Sequence, residues 1–130
     1  MARKIIVLDT SALIYWTLDQ LRLSAKATQA IEAADSVQIS SISIWEIGIK
    51  IKRRKLFIPM ELRAYVEKLK LVDRLEIIAV SDEVWIRNLE LGWTHKDPAD
   101  RTIVAQATIL ECALITSDKK IRRFYKQTVW

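Results

Sequence analysis

Only two glycines, Gly48 and Gly92, occur in the 130 residues of this chain. A phosphate-cradling P-loop or a glycine-rich dinucleotide loop is thereby excluded. A single cysteine, Cys112, rules out an internal disulfide and any cysteine-rich zinc site. It adjoins the apolar run Ala113-Leu114-Ile115, which predicts a buried, inert thiol. The only histidine, His95, has no nucleophile elbow around it, so Ser-His-Asp and Cys-His chemistry find no support. No uncharged run approaches the roughly 20 residues that span a bilayer. The opening Met1-Ala2-Arg3-Lys4 before Ile5 to Leu8 resembles a leader only faintly, and Asp9 ends the apolar stretch after four residues. A single soluble, cytoplasmic domain over residues 1–130 is the expectation.

What the chain has is a basic surplus and a pattern of acids. The formal net charge is +5 and the isoelectric point about 9.5. Cations crowd at Lys50, Lys52, Arg53, Arg54 and Lys55, and again at Lys119, Lys120, Arg122, Arg123 and Lys126. Either run alone reads equally well as a solvated helix face. Together, and beside clustered acids, they point to a polyanionic substrate.

Apolar runs set the frame. Ile5 to Leu8 is a continuous β-branched stretch of the kind found in strands buried on both faces. Further strands are predicted at Val37 to Ser40, Ile77 to Val80 and Ala113 to Ile115, with an edge strand at Thr128 to Trp130. Between them lie helical segments: Ala12 to Leu18; a helix capped by Ser24 that carries Ala27, Ala30, Ile31 and Ala34; and Ser43-x-x-Glu46 as a capping box opening a helix to about Lys52. Pro59 predicts the start of a helix over 59–70, and Ser81 caps one that stops near Gly92. Asp97 before Pro98 suits the N-cap and first position of a helix to about Glu111, and Asp118 opens a last short helix to Tyr125. The alternation predicts an α/β fold, a parallel sheet covered by helices on both faces.

On this frame four acids stand out: Asp9, Glu46, Asp100 and Asp118. Each falls where a strand is predicted to end or a helix to begin. In an open parallel sheet such places converge on the crevice beyond the carboxyl ends of the strands. Each acid alone has a plainer explanation as a helix cap, Asp97 included, since the helix macrodipole favours carboxylates there. Asp9 fits that explanation least well, because a charge directly after a buried strand needs a partner or a cation. Four carboxylates drawn together repel one another unless cations join them, and an all-oxygen set suits Mg²⁺ or Mn²⁺. Metal-assisted phosphodiester cleavage is the matching chemistry, with hydroxide formed at a metal as the nucleophile. Asp9 and Asp100 are the foremost candidates for direct ligands. Glu46 and Asp118 ligate, bind through water, or position the attacking water. The basic residues Lys50, Lys52, Arg53, Arg54, Lys119 and Lys120 are candidates for contact with a nucleic-acid backbone.

The segments Leu8-Asp9-Thr10-Ser11-Ala12-Leu13, Ser43-Ile44-Trp45-Glu46-Ile47, His95-Lys96-Asp97-Pro98-Ala99-Asp100-Arg101, Val104-Ala105-Gln106-Ala107 and Thr116-Ser117-Asp118 resemble the PIN-domain ribonucleases. Within these they resemble the VapC-type toxins of toxin–antitoxin pairs, and Leu23-Ser24-Ala25-Lys26-Ala27 is similar as well. The resemblance implies a three-layer α/β/α sandwich around a mostly parallel sheet. It implies an Mg²⁺- or Mn²⁺-dependent endoribonuclease with Asp9, Glu46, Asp100 and Asp118 at the family's acidic positions. It implies a homodimer neutralised by a small cognate antitoxin protein, with DNA bound only indirectly, through that antitoxin. Asp97 matches an acid of this subgroup and is assigned to a supporting or capping role. Thr10, Ser11 and Thr116 match polar positions that orient ligands by hydrogen bonds. Ala99 departs from the pattern, since many relatives carry a bulky aromatic there, which bears on substrate fit and local helix packing.

Two other readings compete. One is a phosphatase that forms an aspartyl-phosphate at Asp9; Ser11, standing where a second acid would be needed, argues against it. The other is a non-catalytic RNA- or protein-binding module whose acids are caps alone. The five tryptophans, Trp16, Trp45, Trp85, Trp93 and Trp130, read first as core or interface residues. Trp45, beside Glu46, is the one best placed to stack on a base.

Overall fold

The apolar run Ile5–Leu8 becomes the central strand of a five-stranded parallel sheet in the computed structural model, which describes residues 3–130. Met1 and Ala2, the start of the segment weighed as a leader, lie outside the described residues. The strands are β1 (Ile5–Leu8), β2 (Ser36–Ser40), β3 (Leu75–Ile78), β4 (Ala113–Ile115) and β5 (Thr128–Val129), in the order β3-β2-β1-β4-β5. Leu8 of β1 faces Ile39 on one side and Ile115 on the other. All five residues of β2 are buried, so both its apolar face (Val37, Ile39) and its polar face (Ser36, Gln38, Ser40) are covered.

Seven helices connect and cover the strands: α1 (Thr10–Leu18), α2 (Ala25–Ala33), α3 (Ser41–Lys52), α4 (Leu62–Leu69), α5 (Asp82–Glu90), α6 (Pro98–Leu110) and α7 (Lys119–Phe124). Side chains alternate along β1. Ile6 and Leu8 enter one core with Leu13, Ile31, Ile39, Ile47 and Tyr65. Val7 enters the opposite core with Ile103, Val104, Ala107, Leu114 and Ile121. The result is the expected three-layer α/β/α architecture. Helix α3 serves both layers, with Ile47 in the first core and Ile42 in the second. Among the described residues no helix is long and apolar enough to cross a membrane. Cys112 is buried, and that burial pushes its thiol up to about 11, in keeping with the inert role expected of it.

Several boundaries differ from expectation. Helix α1 begins at Thr10 rather than Ala12, because Asp9 caps it. Helix α4 begins at Leu62, three residues after the Pro59 predicted to open it, with Glu61 as N-cap. Strand β3 covers Leu75–Ile78 rather than Ile77 to Val80, because its pairing with Val37 to Ser40 fixes its register. A 3₁₀ turn at Gln20–Arg22 follows α1.

The strand order decides where the site falls. From β1 the chain moves outward to β2 and β3, then returns to lay β4 on the other side of β1. The direction of winding therefore reverses between β1 and β4, and such a switch point leaves a crevice at the carboxyl ends of its strands.

Candidate active site

Asp9 leaves the end of β1 at that switch point and is the N-cap of α1. Its Oδ1 accepts from the Ala12 amide at 2.8 Å and its Oδ2 accepts from the Thr116 hydroxyl at 2.5 Å. The residue is only 6% exposed. Burial pushes its carboxyl up to about 6, against the two hydrogen bonds that favour its ionised form; nearby Asp100 and Asp118 raise it further. The expectation that Asp9 fits a capping role least well is thus corrected. It is a true cap and also a costly buried acid. Asp118, after β4, caps α7 and accepts at Oδ1 from the amides of Lys120 (2.8 Å) and Ile121 (3.1 Å). The Thr116 hydroxyl accepts from the Asp118 amide at 3.0 Å while donating to Asp9, so one oxygen bridges the two strand ends.

Helices α3 and α6 supply the other side. Asp97 caps α6, its Oδ1 accepting from the Asp100 amide at 2.9 Å, and Pro98 takes the first helical position as predicted. Ser43 does not cap α3: Ser40 does, so Glu46 lies mid-helix rather than at a helix start. The reason is that β2 runs directly into α3 with no intervening loop. The Ser43 hydroxyl instead shares a buried 2.9 Å hydrogen bond with Thr10 Oγ1, which ties α3 to α1. Glu46 still reaches the crevice. One carboxylate oxygen each from Glu46, Asp97 and Asp100 lies within 4.8 Å of the others. Asp97, expected only as a support or cap, is a full member of this trio. Burial raises the Asp100 carboxyl; its hydrogen bond with His95 Nε2 (2.8 Å) opposes that, and Asp97, Asp118 and Glu46 add to it. The four acids singled out therefore act on one another electrostatically, with Asp100 the common neighbour of Asp9, Glu46 and Asp118. Ser11 sits in the first turn of α1, and no hydrogen bond among the described residues engages its hydroxyl.

Cations and aromatics flank the acids. Lys50 and Arg53 line a cavity of about 310 Å³ together with Trp45, Glu46, Asp97 and Ala99. They share a face with Glu46 because they lie four and seven residues beyond it on the helix. Lys50 Nζ is 3.9 Å from Glu46 Oε2. Trp45 is 56% exposed there. Lys52 and Arg54 are exposed and do not line that cavity; Lys120, unlike Lys119, lines a second one with Trp93, His95 and Arg123. Ala99 is buried in the core with Ile42 and Ile103, so the packing at the start of α6 closes around the small side chain.

Two features had no expectation attached. The His95–Asp100 hydrogen bond joins the lone imidazole to the acids. Arg101 donates to Asn88 Oδ1 and to the backbone carbonyls of Asn88, Trp93 and His95 at 2.5–3.2 Å, holding the segment before α6 in place. The spacing His95-x-x-x-x-Asp100-Arg101 was the only sequence signal for either.

An acidic trio backed by a buried carboxylate, with no thiol among its donors, is an oxygen-rich set that fits a hard divalent cation. A three-layer parallel α/β sandwich carrying such a set at its switch point offers a place suited to a divalent cation. The PIN domain family profile matches residues 6–127, and the chain belongs to that family. It is similar to the ribonuclease VapC22 of Mycobacterium tuberculosis, 26% identical over 118 residues, covering 90% of this chain and 89% of the relative. Its fold is similar to a toxin–antitoxin complex from Klebsiella pneumoniae (24% identity, 96% of each chain, TM-score 0.66). It is also similar to VapBC2 from Rickettsia felis bound to a promoter DNA fragment (20% identity, 97% of this chain and 99% of that one, TM-score 0.67).

Proposed function

We propose that this protein is a metal-dependent endoribonuclease and the toxin of a toxin–antitoxin pair, working in the cytoplasm as a homodimer of a single-domain chain. The observation that carries this reading is the meeting of Glu46, Asp97 and Asp100 oxygens within 4.8 Å, beside buried Asp9 and capped Asp118. A protein of net charge +5 that gathers its acids in one crevice has little reason to do so except to hold a cation against a polyanion.

Asp9, Glu46, Asp100 and Asp118 are the catalytic set and hold Mg²⁺ or Mn²⁺, with Asp97 joining them beside Glu46 and Asp100. When bound, such an ion polarises the phosphate and lowers the pKa of water beside it. The chain's own part is to hold the carboxylates in place before substrate arrives. Thr116 holds the Asp9 carboxylate and the start of α7 with a single hydroxyl, and Thr10 and Ser43 lock α1 against α3. Pre-set oxygens lose little further freedom when they engage a cation, which favours turnover. Lys50 and Arg53 receive the RNA backbone on the α3 side. A small antitoxin neutralises the enzyme, and DNA is reached only through it; the relatives' toxin–antitoxin complexes support this assignment.

The test is cleavage of cellular RNA by the purified wild type and by Asp100→Asn, together with calorimetric titration by Mn²⁺. Cleavage by the wild type alone, with stoichiometric Mn²⁺ uptake, is expected. A variant that cuts at the wild-type rate ends the metal assignment. Absence of Mn²⁺ uptake by the wild type leaves a binding module whose acids are only caps.

A further inference from the structure

We propose that the depression walled by Trp93, Thr94, His95, Lys120, Arg123 and Phe124 is a nucleotide subsite, holding the RNA residue next to the scissile phosphate. The proposal rests on the ribonuclease reading above. The cavity is about 430 Å³, within the roughly 300–1,000 Å³ of small-ligand pockets.

Its two halves match the two halves of a nucleotide. One wall is aromatic: Phe124 and Trp93 stack with centroids 4.7 Å apart and planes 7° from parallel, and His95 follows at 4.8 Å. Aromatic walls take unstacked bases of any sequence. Apart from Thr94, the rest of the lining is cationic. Lys120 and Arg123 are three residues apart on α7, hence on one helix face. Both are exposed, and no salt bridge among the described residues engages either. Cations that share a face and lack an acid partner are available to a phosphate.

The subsite is joined to the acids twice. His95, the last member of the aromatic wall, bonds Asp100, and Asp118 caps the helix that carries Lys120 and Arg123. Its backbone is fixed before any ligand arrives, because Arg101 grips the carbonyls of Trp93 and His95. It also lies on the opposite flank from Trp45, Lys50 and Arg53. Helix α3 leaves β2 and α7 leaves β4, on either side of β1. A strand stretched across the sheet's carboxyl edge therefore meets an aromatic–cation pocket before the acids and another after them. Stacking in either pocket requires a base free of duplex, so the substrate is a single-stranded segment at the cut.

Full-length protein, a mapped single-stranded RNA and its duplexed counterpart test this. Expected results are a rise in KM of about tenfold for Lys120→Gln and Arg123→Gln, kcat within about twofold, and a salt slope reduced by about one per cation removed. Lys26→Gln, on α2, serves as the control and leaves the slope unchanged. 5-Iodouridine placed at successive positions should crosslink to Trp93 or Phe124 from one position adjoining the cut, and the duplex should resist cleavage. Unchanged KM and slope in both charge variants, crosslinks mapping elsewhere, or equal cleavage of the duplex overturns the subsite while a cutting wild type leaves the ribonuclease reading intact. A wild type that cuts no RNA removes that reading and the subsite with it.

Discussion

At the ends of β1 and β4, Asp9 and Asp118 are bound by backbone amides and by Thr116, whereas Glu46 reaches the same crevice from mid-helix with only Lys50 at 3.9 Å. The first pair is placed by the sheet. Strand ends in a parallel sheet lie side by side whatever else happens, so their acids meet by construction. Glu46 meets them only because α3 packs against both α1 and α6. The sheet-borne half is tied by backbone amides and, at Asp9, costly to ionise; Glu46 is held by fewer contacts and is more easily adjusted. A rigid acid that resists ionisation, set among more accessible ones, leaves the carboxylates in want of a cation.

The sharpest way to break that contrast is neutralisation. Asp9→Asn and Asp100→Asn are each expected to lower RNA cleavage about a hundredfold to a thousandfold in single-turnover assays, since each removes charge that stabilises the reacting centre. Equal, small losses at both would mean that neither half holds the metal.

Next in size is Thr116→Val. It deprives Asp9 of a donor and leaves the Asp118 amide without its acceptor, and supporting hydrogen bonds of this kind are worth about 10–100-fold in metal affinity or activity. Titration with Mn²⁺ measures it. Ser43→Ala, which loosens only the α1–α3 tie, should fall well short of that.

Stability separates the halves in the opposite direction. The folded-state pKa of Asp9 is raised from 3.8 to about 6, so its protonated form is the favoured one in the fold. Its contribution is fully present below the unfolded value and is lost as pH rises through about 6. The metal-free protein should lose roughly 2 kcal/mol between pH 4 and pH 7 from this group. Asp9→Asn, which keeps the oxygen that caps α1, should therefore melt higher than the wild type at pH 7 in chelator, with the gap narrowing toward pH 4. Added Mn²⁺ should stabilise the wild type and leave that variant nearly unmoved. Scanning calorimetry across pH reads all three.

The smallest effect belongs to the exposed cations. Lys50→Gln should weaken RNA binding several-fold with a shallower salt dependence, while Lys52→Gln, off the site face, should change neither. Anisotropy titrations at two salt concentrations distinguish them.

How much of this could be read in advance follows the same division. Strands β1 and β4 were legible because they are unbroken apolar runs of the kind that buried parallel strands carry, and Asp97-Pro98 announced α6 because the imino acid suits a first helical position. Asp9, Asp100 and Asp118 were legible through the strands and helix they adjoin. Ser43 misled, because a capping-box pattern is local and cannot reveal that β2 passes straight into a helix capped by Ser40. The promotion of Asp97 from cap to member of the trio was hidden for a related reason: a cap's hydrogen bond uses one oxygen, and only the position of α3 shows what faces the other.

By itself the sequence determined the alternation of apolar strands and amphipathic helices, the basic surplus and the acids at strand ends, because these depend on side-chain character over a few neighbouring residues. Tertiary structure alone decided that β4 lies beside β1, that Glu46 meets Asp97 and Asp100, and that Trp93, Phe124, Lys120 and Arg123 share one depression. Those are distances between segments up to a hundred residues apart, and they are set by how sheet order and core packing bring helices together.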